Sequence, residues 1–401
     1  MRTTWTFHSA GQLVFGRHAV RQLGEIADRL RTKRVLIVTD PLLLKAGLVE
    51  EVHVPLSEGG VVVEIFSGGE PEPSIRAAEA AIAKARAFHP EVVLGLGGGS
   101  NMDLAKITAT VLRHGGHPRD YVGDDKIPGP VMPLICLPTT AGTGSEVSAA
   151  AVLTDTDNQI KVGILSNYLR PRVAVVDPLL TVSCPKKVTA DSGIDALTHA
   201  IEAYTAVDNA VFPLPAGERS VYQGRHPMGD LVAEKAIQLI GQHLRQAVNH
   251  GEDLGAREGM ALAATLAGMA FSNVGVALVH ALEYPVGGAT HCSHGAGNGL
   301  LLPYVMRFNL PARRKEFAAI AQLLGEDVAG LDEAQTAERA ITAVGRLRGD
   351  IGIPARLRDL GVTEAQLKGF AEKAFSIKRI LRVNPRAVTV EDLEGILRAA
   401  W

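Results

Sequence analysis

The stretch that decides the fold is EVVLGLGGGSNMDLAK, residues 91–106, in which an apolar run passes through consecutive glycines into a helical pattern. Glycines let backbone amides approach a phosphate closely, and the amino terminus of a helix adds partial positive charge. The stretch therefore predicts a strand, a turn and a helix that bind a pyrophosphate through Gly97, Gly98, Gly99 and Ser100. Because the spacing departs from GxGxxG, a tight strand-to-helix turn without a ligand stays open.

Short β-branched runs before and after this stretch alternate with helical patterns, which predicts a parallel sheet covered on both faces. After CPKKVTADSG (184–193) the strand signals vanish and long helical patterns follow. We therefore predict an α/β, Rossmann-like domain with a parallel sheet over residues 1–184 and an all-α domain over 185–401. The predicted strands are RVLIVTD (34–40), VVVEIF (61–66), EVVLGLGGGS (91–100), PLICLPTT (133–140) and VAVVDP (173–178).

Composition argues for small-molecule chemistry, because a formal net charge of -2 over 401 residues offers no excess to bind nucleic acid or an acidic membrane. Three scattered cysteines are too few for a disulfide framework, which fits a cytoplasmic protein. The amino terminus lacks the apolar core of a signal peptide. The apolar run 259–282 is interrupted by Asn273 and His280, so it predicts a buried helix and not a membrane span.

A second loop rich in glycine and hydroxyl groups, PTTAGTGSEVS (138–148), also follows a predicted strand. Thr139 and Thr140 can donate hydroxyl protons to a diphosphate or a ribose. The alternative interpretation is that Thr143 or Ser145 caps a helix. Since open α/β sheets bind ligands at the carboxyl ends of their strands, the two loops predict a shared crevice.

Asp40 ends the run RVLIVTD and precedes Pro41. A carboxylate at the end of a strand can accept both hydroxyls of an adenosine ribose, which would favour NAD over NADP. An Asp-Pro pair is equally typical of a helix start, with the aspartate as the cap. The sequence leaves both interpretations open.

Potential metal ligands occur in two stretches of the second half. Asp195 and His199 are four residues apart in a helical pattern, hence on one face, although such pairs also occur as surface hydrogen bonds. His280 and His294 lie in VHALEYPVGGATHCSHGAGN (279–298) and would complete a set of one carboxylate and three imidazoles. That set is typical of Fe²⁺ or Zn²⁺, not of magnesium or calcium.

Taken together, GGGSNMDLAK, PTTAGTGSEVS, DALTHAIEAY, LVHALEYPVGG and SHGAGNGLLLPYVMRFN resemble the iron-containing (group III) alcohol dehydrogenases. The resemblance extends from about residue 5 to residue 398. It implies a dehydroquinate synthase-like architecture, with a metal in the cleft between an NAD-binding domain and a helical domain. It places the metal ligands on Asp195, His199, His280 and His294. It places the cofactor contacts on Asp40, Gly97, Gly98, Gly99, Ser100, Thr139, Thr140 and Lys161, the last reaching a nucleotide ribose hydroxyl.

Tyr284 and the three histidines of the stretch 279–298 need separate interpretation. Many family members carry a histidine four residues after the third ligand, where this chain has Tyr284. Tyr284 is therefore our candidate proton relay, with water or the cofactor ribose as alternatives, and His294 is counted with it among the catalytic candidates. We expect His280 to end one helix and His294 to follow a glycine-rich turn, with His291 lining the site without binding the metal.

The segment 207–230 has three prolines and no periodicity, so it predicts a long loop of the kind that often forms a lid. Its RSVYQGRHPMGD, with the YP after His280, is similar to the hydroxyacid-oxoacid transhydrogenase branch, which oxidises 4-hydroxybutyrate. An acidic substrate could be met by basic side chains in two places, although solvated surface charge is the alternative for each. These side chains are Arg219, Arg225, Lys378 and Arg379.

From these patterns and the resemblance we expect reversible hydride transfer between NAD(H) and a primary alcohol or aldehyde, with Fe²⁺ as the metal and Zn²⁺ as the alternative. We expect a homo-oligomer, a dimer, with no nucleic-acid or membrane partner. One rival is a transhydrogenase with tightly bound nicotinamide. Another is a sugar-phosphate cyclase, which would need a lysine and arginine cluster for a phosphate, and a third is a binding protein with a closed structural metal.

Overall fold

The computed structural model describes residues 2–158 and 160–401 of the chain. These residues form two compact units. The α/β unit contains His8–Cys184 and Arg219–Val221, and the helical unit contains residues 2–7, Pro185–Glu218 and Tyr222–Trp401. The segment 207–230 therefore contributes to both units.

A parallel six-stranded sheet forms the centre of the α/β unit. The strands of this unit are β1 Leu13–Phe15, β2 Arg34–Val38, β3 Val62–Phe66, β4 Val92–Gly97, β5 Gly123–Asp124, β6 Leu134–Pro138, β7 Ala150–Asp155, β8 Ile160–Leu165 and β9 Val173–Val176. The large sheet has the order β1-β9-β6-β4-β2-β3, and every neighbouring pair in it is parallel. The predicted parallel sheet is confirmed, and each predicted run contains one of its strands.

Helices cover both faces of this sheet because its central strands are apolar on both sides. Val93 of β4 packs in a cluster with residues of two helices, α4 and α5, whereas its neighbour Leu94 packs in a second cluster with residues of α1 and α3. Successive side chains of a strand point to opposite faces, so one strand supplies both layers. The helices of this unit are α1 Leu23–Arg29, α2 Pro41–Lys45, α3 Leu48–Glu58, α4 Ile75–Phe88 and α5 Gly99–His114.

A small second sheet was not predicted. Strands β7 and β8 form an antiparallel hairpin, and β5 pairs with β8 in parallel. The burial of β7 alternates as in a strand with one buried face, but its sequence AAVLTD does not alternate between apolar and polar residues, so the strand had no clear sequence signal. This hairpin carries Lys161 on β8.

The second half of the chain is helical, as predicted. Its helices are α6 Lys186–Tyr204, α7 Pro227–Asn249, α8 Leu254–Val274, α9 Leu278–Thr290, α10 His294–Asn309, α11 Arg314–Leu323, α12 Glu333–Asp350, α13 Leu367–Ser376, α14 Lys378–Leu381 and α15 Val390–Ala400.

The prediction of one buried helix over 259–282 is wrong, because the run is shared between α8 and α9, which meet at 104°. The break follows Gly275, whose φ of 125° is in the region that only glycine adopts readily. A Cβ there would lie 2.8 Å from Val383, so the turn also needs the space. Among the described residues no single helix is long and apolar enough to cross a membrane, and the bent pair α8 and α9 passes that test only when taken together.

Helix α7 begins immediately after His226, a buried histidine that should make the free energy of unfolding depend on pH. His226 caps the helix, because its Nδ1 accepts a hydrogen bond from the Gly229 amide, and the Trp5 ring stacks on its imidazole at 4.8 Å. The side chain is 3% exposed, and burial lowers its pKa to about 4. Protonation would remove the acceptor, so the neutral form is the one that the fold stabilises.

We expect His226→Asn, which keeps a capping oxygen but cannot titrate, to flatten the pH dependence of unfolding. The unfolded histidine titrates near 6.5, so the stabilisation is present above that pH and is lost as pH falls toward 4. Between pH 7 and pH 5 the wild type should lose about 1–2 kcal/mol more than the variant. Urea unfolding at both pH values measures this, and equal losses in the two proteins would contradict it.

Candidate active site

Asp195 and His199 lie on α6, one helical turn apart, and both are buried. The distance from His199 Nε2 to Asp195 Oδ1 is 3.9 Å. The surface-pair alternative is therefore wrong for these residues, because each side chain is at most 6% exposed. Two polar side chains on the inner face of a buried helix need partners or a ligand.

His280 and His294 approach this face from two further helices. His280 lies in the first turn of α9, so the expectation that it ends a helix is wrong. His294 is the first residue of α10, which Ser293 caps. The bend between them was expected from glycines, but Gly287 lies inside α9, and it is His291, with a φ of 54°, that ends the helix.

Three of the predicted ligands converge. One donor atom each of Asp195, His280 and His294 lie within 4.8 Å of one another. His199 stands beside this group, since its ring stacks on His280 with centroids 4.9 Å apart and on Phe271 at 4.2 Å. One carboxylate and neighbouring imidazoles in a buried setting are a donor set that fits a divalent transition metal.

Asn298 shows that the donor atoms face a single point. Its side-chain Nδ2 lies 2.8 Å from Asp195 Oδ1 and 3.2 Å from the Nε2 atoms of both His280 and His294. One amide nitrogen thus contacts three prospective ligand atoms at once, which is the arrangement that a cation needs. Nothing in the sequence spacing pointed to Asn298, because its four-residue offset from His294 is common on helices.

Two carboxylates fix the other nitrogens of the histidines. His280 Nδ1 lies 2.6 Å from Glu202 Oε2, and His294 Nδ1 lies 2.5 Å from Glu283 Oε2. A carboxylate at Nδ1 holds the imidazole in the tautomer whose Nε2 lone pair faces the site. Sequence reasoning missed both, although Glu202 follows His199, and Glu283 follows His280, by three residues, which is one helical turn.

The electrostatics keep the cluster ready to bind a cation. Burial raises the pKa of Asp195, but attraction from His199, His294 and His280 outweighs it and holds that pKa below its usual value. Burial lowers the pKa of His199 to about 4, against the opposing pull of Asp195. At neutral pH Asp195 is therefore charged and His199 neutral, which are the forms that bind metals.

The predicted phosphate loop connects β4 to α5 in the α/β unit. Gly97 has a φ of 142°, and a Cβ there would lie 2.2 Å from Asn101 Nδ2. Gly98 is the N-cap residue of α5, and because it has no side chain it offers no side-chain acceptor to the first amides of the helix. The first amides of a 16-residue helix are thus left for another acceptor, so the loop fits the pyrophosphate of a dinucleotide.

The second loop packs directly against the first. The Thr139 amide donates to the Gly97 carbonyl at 3.0 Å, and a Cβ on Gly98 would lie 3.6 Å from the Thr140 hydroxyl. A Cβ on Gly99 would lie 2.8 Å from Thr143, so that glycine is needed for the close approach. The structure therefore brings together the residues that were predicted to share a crevice.

Asp40 caps α2, which was one of its two predicted roles. Its Oδ1 accepts hydrogen bonds from the Leu42 and Leu43 amides at 2.8 and 3.0 Å. Its Oδ2 accepts from Asn101 Nδ2 at 2.7 Å, which ties the end of β2 to the phosphate loop. Lone pairs remain on both oxygens, so the ribose role stays a prediction.

Lys106 was not singled out in the sequence, yet it joins the two loops. Its ammonium is fully buried and lies 2.7 Å from Ser145 Oγ, 3.0 Å from Ser148 Oγ and 2.7 Å from the Ala150 carbonyl. Asp103, one turn earlier on α5, accepts from Ser145 Oγ at 2.6 Å. The helix after the first loop thus holds the loop after β6 in place, and Ser145 serves this network rather than a helix cap.

The three remaining predicted site residues lie in different surroundings. Lys161 Nζ lies 2.6 Å from Glu72 Oε1. The Tyr284 ring lies 6.1 Å from that of His294, and Tyr284 is half-buried. His291 is exposed.

The basic residues proposed for an acidic substrate differ in setting. Arg225 is 17% exposed and pairs with Asp230 at 2.9 Å and with Glu316, so a solvated surface charge is the wrong description of it. Arg219 is 80% exposed, with Asp125 at 3.3 Å. Lys378 lies over the Phe375 ring at 3.0 Å. The backbone of Arg225 also connects the two ends of the segment 207–230, because it forms an isolated parallel β-bridge with Asp208.

The α/β unit with its glycine-rich loops and the buried cluster of carboxylate and imidazoles fit an oxidoreductase that binds a dinucleotide and a cation, and comparison with known proteins gives the family. Residues 10–178 match the family described as iron-containing alcohol dehydrogenase, and residues 216–401 match the C-terminal domain of the Fe-containing alcohol dehydrogenase family. The chain belongs to this family, so the resemblance in the motifs is confirmed and the protein is an alcohol oxidoreductase.

Relatives of known activity extend over nearly the whole chain. The NAD-dependent methanol dehydrogenase of Bacillus methanolicus is 39% identical over 387 residues, which cover 96% of this chain and 97% of that enzyme. The 1,3-propanediol dehydrogenase of Klebsiella pneumoniae is 40% identical over 389 residues, with 96% of each chain covered. A crystal structure of 1,3-propanediol oxidoreductase superposes with a TM-score of 0.93 at 39% identity, covering 99% of this chain and 100% of that one.

Proposed function

We propose that the protein catalyses reversible hydride transfer between NAD(H) and a primary alcohol or aldehyde, with a divalent cation, Fe²⁺ before Zn²⁺, held by Asp195, His199, His280 and His294. The observation that carries the proposal is the convergence of Asp195, His280 and His294 on one point. The donor set and the family point in the same direction. When bound, the cation supplies a Lewis acid that lowers the pKa of an alcohol hydroxyl and polarises an aldehyde carbonyl.

The chain's own residues bind and orient the reactants. Glu202 and Glu283 hold His280 and His294 in one tautomer, and Phe271 provides an apolar wall against His199. We assign to Tyr284 the relay of the alcohol proton, since its ring lies 6.1 Å from that of His294. Rigid placement of this kind lowers the barrier because the groups need not reorganise during the reaction.

For the cofactor we propose NAD over NADP. Gly97, Gly98, Gly99 and Ser100 would bind the pyrophosphate at the start of α5, with Thr139 and Thr140 opposite. Asp40 would accept the ribose hydroxyls, and a 2′-phosphate there would be repelled by its charge. Lys161 would contact a ribose hydroxyl from β8, and we keep the expected dimer as part of the proposal.

The function is tested by mixing the anaerobically purified, Fe²⁺-loaded protein with NAD and, in separate reactions, primary alcohols, diols or 4-hydroxybutyrate, and following NADH absorbance. We expect net NADH formation from primary alcohols and lower rates with NADP. Net NADH excludes a cyclase, which regenerates its NAD in each turnover. Turnover of 4-hydroxybutyrate with 2-oxoglutarate, but without added NAD, would favour the transhydrogenase instead.

A further inference from the structure

Glu283 is a buried carboxyl group that lies beside His294 and is not itself one of the proposed metal ligands. Its side chain is 0% exposed, and Oε2 lies 2.5 Å from His294 Nδ1. Among the described residues Oε1 has no hydrogen-bond partner. Burying a carboxyl group with a single partner is unfavourable unless positive charge nearby offsets the lost hydration.

His294 is the prospective ligand that most needs such a partner. Its side chain is 33% exposed, whereas those of Asp195, His199 and His280 are between 3% and 6% exposed. An exposed imidazole at the start of a helix has more rotamer freedom and more competition from water than an enclosed one. A contact that fixes His294 therefore has a larger effect on cation retention than a contact on an enclosed ligand.

The helices leave a slot shaped for this carboxyl group. A Cβ on Gly287 would lie 2.2 Å from Glu283 Oε1, and a Cβ on Gly297 would lie 2.8 Å from Glu283 Cγ. Gly287 is inside α9 and Gly297 inside α10, so neither glycine is needed for a turn. The absence of side chains at these two glycines leaves room for the carboxyl group beside His294.

We propose that Glu283, seated between Gly287 and Gly297, is a positioning residue that orients His294 and thereby retains the catalytic cation. The inference rests on the proposed function, because it assumes that His294 binds the metal. His280 has the equivalent partner in Glu202, which also accepts hydrogen bonds from the Ala277 and Val279 amides. Glu202 therefore serves the backbone as well, whereas Glu283 can be altered without removing a helix contact of that kind.

The test measures Zn²⁺ affinity of the full chain by competition with a chromophoric chelator at pH 7, a readout that does not need turnover. Loss of a partner to a metal-binding histidine typically weakens metal affinity by about 10–100-fold. We expect a loss in that range for Glu283→Ala and a smaller one for Glu283→Gln, which keeps an accepting oxygen. The melting temperature of each metal-free variant shows whether it is folded.

Two glycine variants of α9 make a matched pair. Gly287→Ala places a methyl group on the Glu283 carboxyl, so it should lower Zn²⁺ affinity by about tenfold although alanine favours the helix. Gly288→Ala, whose Cβ would meet nothing within 4 Å, should leave the affinity unchanged. This pair tests the positioning role of Glu283 even if Glu283→Ala does not fold.

His294→Ala distinguishes a failure of the positioning role of Glu283 from a failure of the metal site. If His294→Ala loses affinity but Glu283→Gln, Glu283→Ala and Gly287→Ala all bind Zn²⁺ like the wild type, the inference is overturned and the metal site stands. If His294→Ala binds Zn²⁺ as tightly as the wild type, the metal site itself is wrong. Equal losses in Gly287→Ala and Gly288→Ala would also overturn the role of the slot.

Discussion

His280→Ala should lose both the bound metal and at least about a thousandfold in kcat/KM for a primary alcohol. His280 is 3% exposed, its Nε2 is 3.2 Å from the Asn298 nitrogen, and its Nδ1 is held by Glu202. Removing it takes one nitrogen from the ligand set and leaves Glu202 without that partner. The Lewis acid contributes several kcal/mol to the transition state, and about 4 kcal/mol corresponds to a factor of a thousand.

Metal content and steady-state rates of the Fe²⁺-loaded variant measure this. His291→Asn is the matched control, because His291 is in the same stretch but is exposed, and asparagine tolerates its left-handed backbone conformation. The control should keep the metal and most of its activity. A His280→Ala protein that holds as much metal as the wild type would show that the ligand assignment is wrong.

Lys106→Met should destabilise the protein by about 3–5 kcal/mol, because it leaves Asp103 without a cation in the interior. Burial raises the pKa of Asp103 and lowers that of Lys106, so both groups depend on each other and on the serine hydroxyls. The same change removes the 2.7 Å hydrogen bond from the ammonium to the Ala150 carbonyl and leaves the longer one from Ser148 Oγ at 3.4 Å. Since this network joins the two glycine-rich loops, NAD affinity should fall as well.

The matched control is Lys84→Met, on α4 of the same unit. Lys84 pairs with Glu64 at 2.7 Å, but both side chains are about 40% exposed, so its loss should cost under about 1 kcal/mol. Urea unfolding of both variants gives the comparison. The double variant Lys106→Met, Asp103→Asn should recover part of the stability, and equal losses in the two lysine variants would refute the network.

The sheet could be predicted, and the pairing of Asp195 with His199 on one helix face as well, because their signals are local. β-branched runs such as the one around Val93 identify the strands, and the four-residue spacing of Asp195 and His199 places them on one helix face. The motif resemblance then linked His280 and His294 to that face. What could not be predicted depends on contacts distant in sequence or on a single glycine.

Glu202 contacts His280 across 78 residues, and Lys106 reaches Ser145 across 39, so neither contact has a periodic signature. Gly275 looks like many other glycines in a helical run until Val383 is seen to fill the space beside it. Glu283 is one turn from His280 in sequence but serves His294, because the bend at His291 brings α10 back toward α9. Tertiary packing determined each of these outcomes.

The most direct test of the central claim is metal content measured together with alcohol-dependent NADH formation on one anaerobically purified sample, before chelation, after chelation and after Fe²⁺ is returned. We predict about one divalent ion per chain. NADH formation should disappear when the ion is removed and return when it is restored. Undiminished NADH formation by the metal-free protein would contradict the proposal that hydride transfer depends on a bound divalent cation.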